Sequence, residues 1–387
     1  MKKLILSLTV LSILFTGCSE ESEETATPRV PVSGEITGDI TTSKTYAFGN
    51  YSLRGIVKIK SGVTVTIEAG SKITADVSNG TDALVVENGG RLVVNGTAAE
   101  PVVFTHTTSE PGSWGGIIMY GDAPIVGTGG VTSATSEDGL ATPYGGTNAL
   151  HNGGSLKYVR VEYAGKKITD GTSEMNGFSF YSVGSGTVLE NLVAYKGADD
   201  GFEFYGGTVN LINAISYGNY DDSFDWQDGW RGQNNSNWYA YQTGTANFGM
   251  EIEAKSYNNA FWPVVSGITL KRAAGTQTEN ASIEYDAIQF KKQGNGDFSN
   301  IKIEGYTAVG AVAIRIQDAG TNTDQVNGSK IKLTNVNILS STTQIGTGSG
   351  SFTTTFPVGQ LTTSTTSTGA SLTNGTWSTV NGTTLLQ

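Results

Sequence analysis

Cysteine occurs once in this chain of 387 residues, histidine twice and proline eight times, against 52 glycines. A single cysteine excludes an intramolecular disulfide. The two histidines, His106 and His151, stand apart with no serine or cysteine nucleophile nearby to complete a triad. Helical patterning is also scarce: beyond the first residues no stretch repeats apolar side chains at i, i+3, i+4 and i+7. No phosphate loop, zinc motif or dinucleotide fingerprint is present. Positive charge is in short supply, with 24 Lys and Arg against 35 Asp and Glu and a net charge of −11. That balance argues against nucleic acid or anionic lipid as a partner. It would also repel a polyanion, unless a bound cation reverses the local field.

What remains is an all-β chain of short apolar runs separated by Gly, Asn, Thr and Ser. Two segments say nearly the same thing. Asp199-Asp200-Gly201-Phe202-Glu203-Phe204 is followed, 22 residues on, by Asp221-Asp222-Ser223-Phe224-Asp225-Trp226. A self-match at this period marks stacked repeats, each rung one turn of a solenoid. One strand column runs Gly177–Phe180, Gly201–Phe204, Ser223–Trp226, Gly249–Ile252, Ala287–Phe290 and Ala313–Ile316, at spacings of 24, 22, 26, 38 and 26 residues. Period-2 alternation turns the large apolar residues inward. The outward column is then Ser179, Glu203, Asp225, Glu251, Gln289 and Arg315. A second column starts each strand with asparagine, at Asn191, Asn213, Asn300 and Asn335, where stacked side chains can bond into a ladder. Residues 120–153, rich in Gly, Thr and Ser, interrupt the period and read as a long loop thrown out from the coil.

Stacking the two near-copies about 4.8 Å apart puts Asp199, Asp200 and Glu203 beside Asp221, Asp222 and Asp225. The leading pairs can serve as turn residues bonding local amides. Glu203 and Asp225 sit mid-strand, where that account does not reach. Converging hard oxygens suit Ca²⁺ better than Mg²⁺ or Mn²⁺.

The segment 89–105 resembles a rung of the right-handed parallel β-helix proteins of the pectin-lyase-like superfamily, and diffuse rung signals span residues 50–345. Asp-Asp-Gly-Phe-Glu (199–203) and Asp-Asp-Ser-Phe-Asp (221–225) resemble the Ca²⁺-binding motif of β-helical pectate lyases. The resemblance implies Asp200, Glu203, Asp221, Asp222 and Asp225 as metal ligands, with Asp199 beside them. It also implies Ca²⁺ bridging to a substrate uronate, whose C5 proton a Lys or Arg removes so that the glycosidic bond breaks by β-elimination. The outward position after Asp225 is Glu251, an acid. The basic candidates Lys291 and Arg315 lie two and three rungs on, roughly 10–15 Å away at strand spacing, and Lys255 sits on a turn.

The N-terminus reads as a secretory signal: Met1-Lys2-Lys3, an apolar run from Leu4 to Phe15, then Thr16-Gly17-Cys18. Its end resembles a bacterial lipobox, implying lipid on Cys18. The following run of Ser and Glu, residues 19–24, resembles the signal that sends Bacteroidetes lipoproteins to the cell surface. The expected organisation is a signal peptide (1–17), an acidic tether (18–34), a β-helix (35–345) and a Thr/Ser-rich C-terminal cap or tail (346–387). Trp230, Trp238 and Tyr239 sit in Gly/Asn-rich sequence beside the acids. They offer either rings for sugars to stack on, with Glu251 and neighbouring polar groups as bonding partners, or a folded cover for the coil. The expectation is a lipid-anchored outer-membrane protein that binds a polysaccharide or oligosaccharide with help from Ca²⁺. A calcium-dependent polyuronate lyase is one alternative. A structural adhesin or accessory subunit of an uptake complex is the other.

Overall fold

A computed structural model describes residues 29–76, 80–168, 174–256, 262–279, 284–348 and 350–387. The chain is a right-handed parallel β-helix built on one sheet of 24 strands, in which strands pair in parallel with those of the neighbouring coils. Cys18 and the expected signal lie outside the described residues. The first strand is Val32–Ile40, so pairing begins inside the stretch read as tether.

A single coil shows why these residues turn this way. The strand Val188–Tyr195 pairs residue for residue with Asn210–Tyr217, except at Asn191 and Asn213, which have φ of 58° and 59°. Asparagine tolerates this left-handed conformation because its short polar side chain bonds locally. The strand bends there, and its two halves lie on different faces. The amides then stack: Asn213 Nδ2 donates to Asn191 Oδ1 at 2.9 Å, and Asn237 Nδ2 to Asn213 Oδ1 at 2.9 Å. Asn335 continues the ladder to Asn300 at 3.5 Å. Asn237 is a member that the sequence reading passed over, and Gly267 (φ 76°) holds the next corner.

Inside the coil, like residues stack in register. Phe202 stacks between Phe178 at 5.0 Å and Phe224 at 5.4 Å, its ring plane nearly parallel to both. These rings belong to one continuous core. Buried aromatics each remove a large apolar area from water, on the order of 2–3 kcal/mol per side chain.

Two segments lie outside the coil. Residues 121–153 fold back over the outward face, where Tyr120, Tyr181, Tyr205 and Tyr144 pack together with Ile125. Tyr144 donates to Asp228, and Tyr120 to Asp138. The C-terminal stretch starts as an end cover, with Phe352, Phe356 and Leu361 against the core. It then runs back along the side of the coil. Ala370 N donates to Thr269 Oγ1 at 3.0 Å, Ser371 N to Asn237 Oδ1 at 3.1 Å and Trp377 N to Ala98 O at 3.2 Å. Trp377, Val380 and Leu385 bury themselves against Val193, Ile215 and Tyr239.

Candidate functional site

The strands Phe178–Tyr181, Phe202–Tyr205, Phe224–Gln227, Met250–Ile252, Ile288–Phe290 and Val312–Ile316 lie side by side in that order. Their register aligns Ser179, Glu203, Asp225, Glu251, Gln289 and Arg315 in one row, as the alternation predicts. The residue before each strand's small opening residue supplies a second row. Asp200 Oδ1 accepts Asp222 N at 2.8 Å, Asp222 Oδ1 accepts Phe248 N at 2.7 Å, and Asp286 Oδ1 accepts Val312 N at 2.7 Å. Each aspartate therefore ties its own coil to the next with one oxygen, and Asp286 gives its other oxygen to Arg315.

The rows meet in a cleft of about 260 Å³ lined by Glu137, Glu174, Asn176, Asp199, Asp200, Glu203, Tyr205, Asp221 and Asp225. Carboxylate oxygens come within 4.8 Å of one another in four triads: Glu174–Asp199–Asp221, Asp200–Glu203–Asp225, Asp200–Asp221–Asp222 and Asp222–Asp225–Glu251. All six acids of the near-copies are thus brought together. Glu203 is the most supported. Asn176 Nδ2 and the Tyr205 hydroxyl donate to Oε2, and Gln227 Nε2 donates to Oε1 at 3.0 Å. Asp225 is the least: its Oδ1 is shut off from solvent and accepts no hydrogen bond.

Burial is the leading cause of the cluster's perturbed acidity, and neighbouring carboxylates add to it. Both push Glu203 up to about 8, with Glu137 the main neighbour, and Asp221 up to about 7, with Glu251 the main neighbour. Asp199, Asp200, Asp222 and Asp225 are likewise raised well above the usual carboxylate range. Without a cation, this cluster holds protons near neutral pH.

The expected catalytic bases do not fit that role. Lys291 reaches back along the row, its Nζ 2.5 Å from Glu251 Oε2 and 2.9 Å from Glu253 Oε1. Burial opposes its charge, but Glu251, Glu253 and Asp225 outweigh burial and hold the ammonium protonated. A base must be free to accept a proton. Arg315 grips the fully buried Asp286 through Nε and through Nη2 at 3.1 Å, and Nη1 donates to Thr347 O at 3.0 Å. Its guanidinium is a structural clamp. Lys255 faces Asp228 Oδ1 at 3.6 Å.

The aromatic platform is also corrected. Trp230 is 1% exposed, stacks on Phe204 at 4.4 Å and donates its indole N–H to Val209 O at 3.1 Å. Trp238 is fully buried and donates to Leu211 O at 3.0 Å. It occupies the inward position that Ala214 fills one coil earlier, so the smaller neighbour leaves room for the indole. Tyr239 points outward but lies under the C-terminal strap, its hydroxyl bonded to Gln387 O at 3.0 Å. None of these rings can receive a sugar. The Asn-rich sequence around Trp238 and Tyr239 is the strand Asn235–Gln242, bent at Asn237.

Several site residues went unread. Glu137 comes from the inserted loop and shares Gln227 Nε2 with Glu203, at 3.1 Å. Glu174 stands one residue outside the position of Asp199 and Asp221, whereas Asn176 precedes Gly177 as Asp200 precedes Gly201 and Asp222 precedes Ser223. That offset was available as a signal.

A sequence profile described as a pectate-lyase like beta helix domain matches residues 34–381. No curated protein and no solved structure matches the chain.

Proposed function

Because the chain belongs to the pectate-lyase-like β-helix family, we propose that it binds an acidic polysaccharide or oligosaccharide through Ca²⁺ held by Asp200, Glu203 and Asp225. The observation that carries this reading is the unpartnered Asp225 oxygen facing carboxylates from adjacent coils. An acceptor closed to water and to donors costs roughly 1–3 kcal/mol, more if charged, and a hard cation relieves it. The donor set is all oxygen, as Ca²⁺ requires. Asn176, Tyr205 and Gln227 fix the orientation of Glu203, as outer-shell donors fix a metal-binding carboxylate. When bound, Ca²⁺ supplies positive charge and coordination positions that a sugar carboxylate can share. Asp199, Asp221 and Glu174 line the same cleft and add negative charge, which favours a cation.

Binding without turnover is the reading favoured by the side chains around it, because Lys291 is pinned as an ammonium and Arg315 as a clamp. Placement at the outer membrane through Cys18 is proposed on the sequence of residues 1–24 alone.

Electrophoresis through gels containing polygalacturonate or alginate tests the whole reading. Migration should be retarded with calcium, restored by chelator, and unretarded for Asp225→Asn. Equal mobility under all conditions refutes the reading. A rise in ultraviolet absorbance from an unsaturated product would replace it with a lyase.

A further inference from the structure

The two rows together contain two overlapping carboxylate triads, and they are not equivalent. Asp200–Glu203–Asp225 has only neutral donors around it: Asn176, Tyr205 and Gln227. Asp222–Asp225–Glu251 has an ammonium on one member, Glu251. Lys291 follows the strand Ile288–Phe290, which pairs directly with Met250–Ile252, and its Nζ reaches back to Glu251 on that neighbouring coil. The same Nζ is 2.9 Å from Glu253 Oε1, and the outer lysine, Lys292, reaches that oxygen at the same distance. Glu253 is 6% exposed, and its second oxygen, Oε2, has no partner. The carboxylates at this end of the row therefore exceed what their lysines satisfy. A buried carboxylate group of this size needs a compensating cation, and the chain provides one of fixed charge +1.

We propose that Lys291 is the built-in cation of the Asp222–Asp225–Glu251 triad and that it limits this face to one divalent ion. The inference rests on the calcium reading above. Its physical basis is competition for the same oxygens. Asp225 belongs to both triads, so an ammonium at the second triad and a divalent ion at the first are compatible. Two divalent ions sharing Asp225, with the ammonium also in place, would set three cations among five carboxylates, and the second ion would need the Glu251 group that the ammonium already holds. Removing the ammonium leaves the second triad with the same hard-oxygen donors as the first. Lys291 is thus a positioning residue: it decides which triad the metal takes and how many ions bind.

Calcium titration by calorimetry, on full-length wild type, Lys291→Gln and Lys291→Arg, separates the outcomes. The expected result is one equivalent for wild type, two for Lys291→Gln and one again for Lys291→Arg, because arginine restores the charge. A Lys291→Gln protein that is folded by circular dichroism and still binds one equivalent overturns the inference and leaves the calcium reading standing. Wild type binding none while Lys291→Gln binds one would overturn the calcium reading and support the role of Lys291. No binding to either refutes both. If Lys291→Gln folds only in calcium, the metal has taken the place of the ammonium. A chain that calcium cannot rescue overturns the inference, since a divalent ion then cannot replace the ammonium.

Discussion

The asparagine corner and the carboxylate row climb the same coil with the same rung spacing, yet they end in opposite electrostatic states. An amide is both donor and acceptor, so Asn213 gives to Asn191 and receives from Asn237, and the column closes on itself. Where it meets the strap, backbone groups complete it, as Ser371 N does at Asn237. An ionised carboxylate only accepts. Stacked in the same manner, Glu203, Asp225 and Glu251 collect surplus acceptors and charge, and Asp225 is left with a bare oxygen. Repeating a residue up a solenoid therefore stabilises it or stores a demand for an outside partner, and the donor inventory of the side chain decides which.

Breaking the asparagine corner should have the largest effect. Asn213→Ala loses two ladder bonds and puts alanine at φ 59°. At about 1 kcal/mol per bond and 1–2 kcal/mol for the left-handed backbone, chemical denaturation should report a loss of about 3 kcal/mol. Asn213→Gly keeps the backbone and should lose only about half of that, as the glycine at position 267 suggests. Equal losses for both variants would mean that the left-handed backbone at this corner costs alanine nothing and that the whole loss belongs to the ladder bonds.

The carboxylate row should respond to pH in the sense opposite to ordinary acid denaturation. The folded pKa of Glu203 (about 8) and of Asp221 (about 7) lies above the unfolded value. Between the two values the folded chain holds protons that the unfolded chain has lost. Metal-free stability therefore falls as pH rises from about 5 to 8, by up to about 1.4 kcal/mol per pH unit for each retained proton. Thermal melts in chelator should show this decline. Calcium should offset it at the alkaline end by about 2.7 kcal/mol at a hundred times its dissociation constant. A melting temperature that rises with pH in chelator would contradict the assignment.

The smallest effect sharpens the contrast most. Asp225→Asn converts one member of the carboxylate row into the residue type of the ladder. It should raise metal-free stability at pH 8 by about 1 kcal/mol, since a buried unpaired charge disappears, and abolish the calcium-induced shift in melting temperature. Destabilisation with the calcium shift intact would place the ion elsewhere.

Much of this was legible beforehand, for a definite reason. In a parallel coil, residues one period apart become neighbours, so the 22-residue self-match translated directly into the pairing of Glu203 with Asp225. Inward and outward positions followed from alternation. The failures fall where period ceases to govern. Trp230 and Trp238 looked exposed because glycine and asparagine surround them, whereas those residues are the corners of a further coil. The C-terminal strap makes its contacts across 100 residues or more, as Ala370 does with Thr269, and no local pattern announces such a path.

From the chain alone came the parallel coil, its asparagine corners and the row of acids, because each depends on residues at fixed offsets meeting at strand spacing. Tertiary structure decided which groups complete that row. Glu137 arrives on a loop folded over the face, and Lys291 arrives by the reach of a flexible side chain back to Glu251 on the preceding coil. Neither distance is encoded in a period. Both follow from how a long excursion and a long side chain settle against charge that the repeat has already gathered.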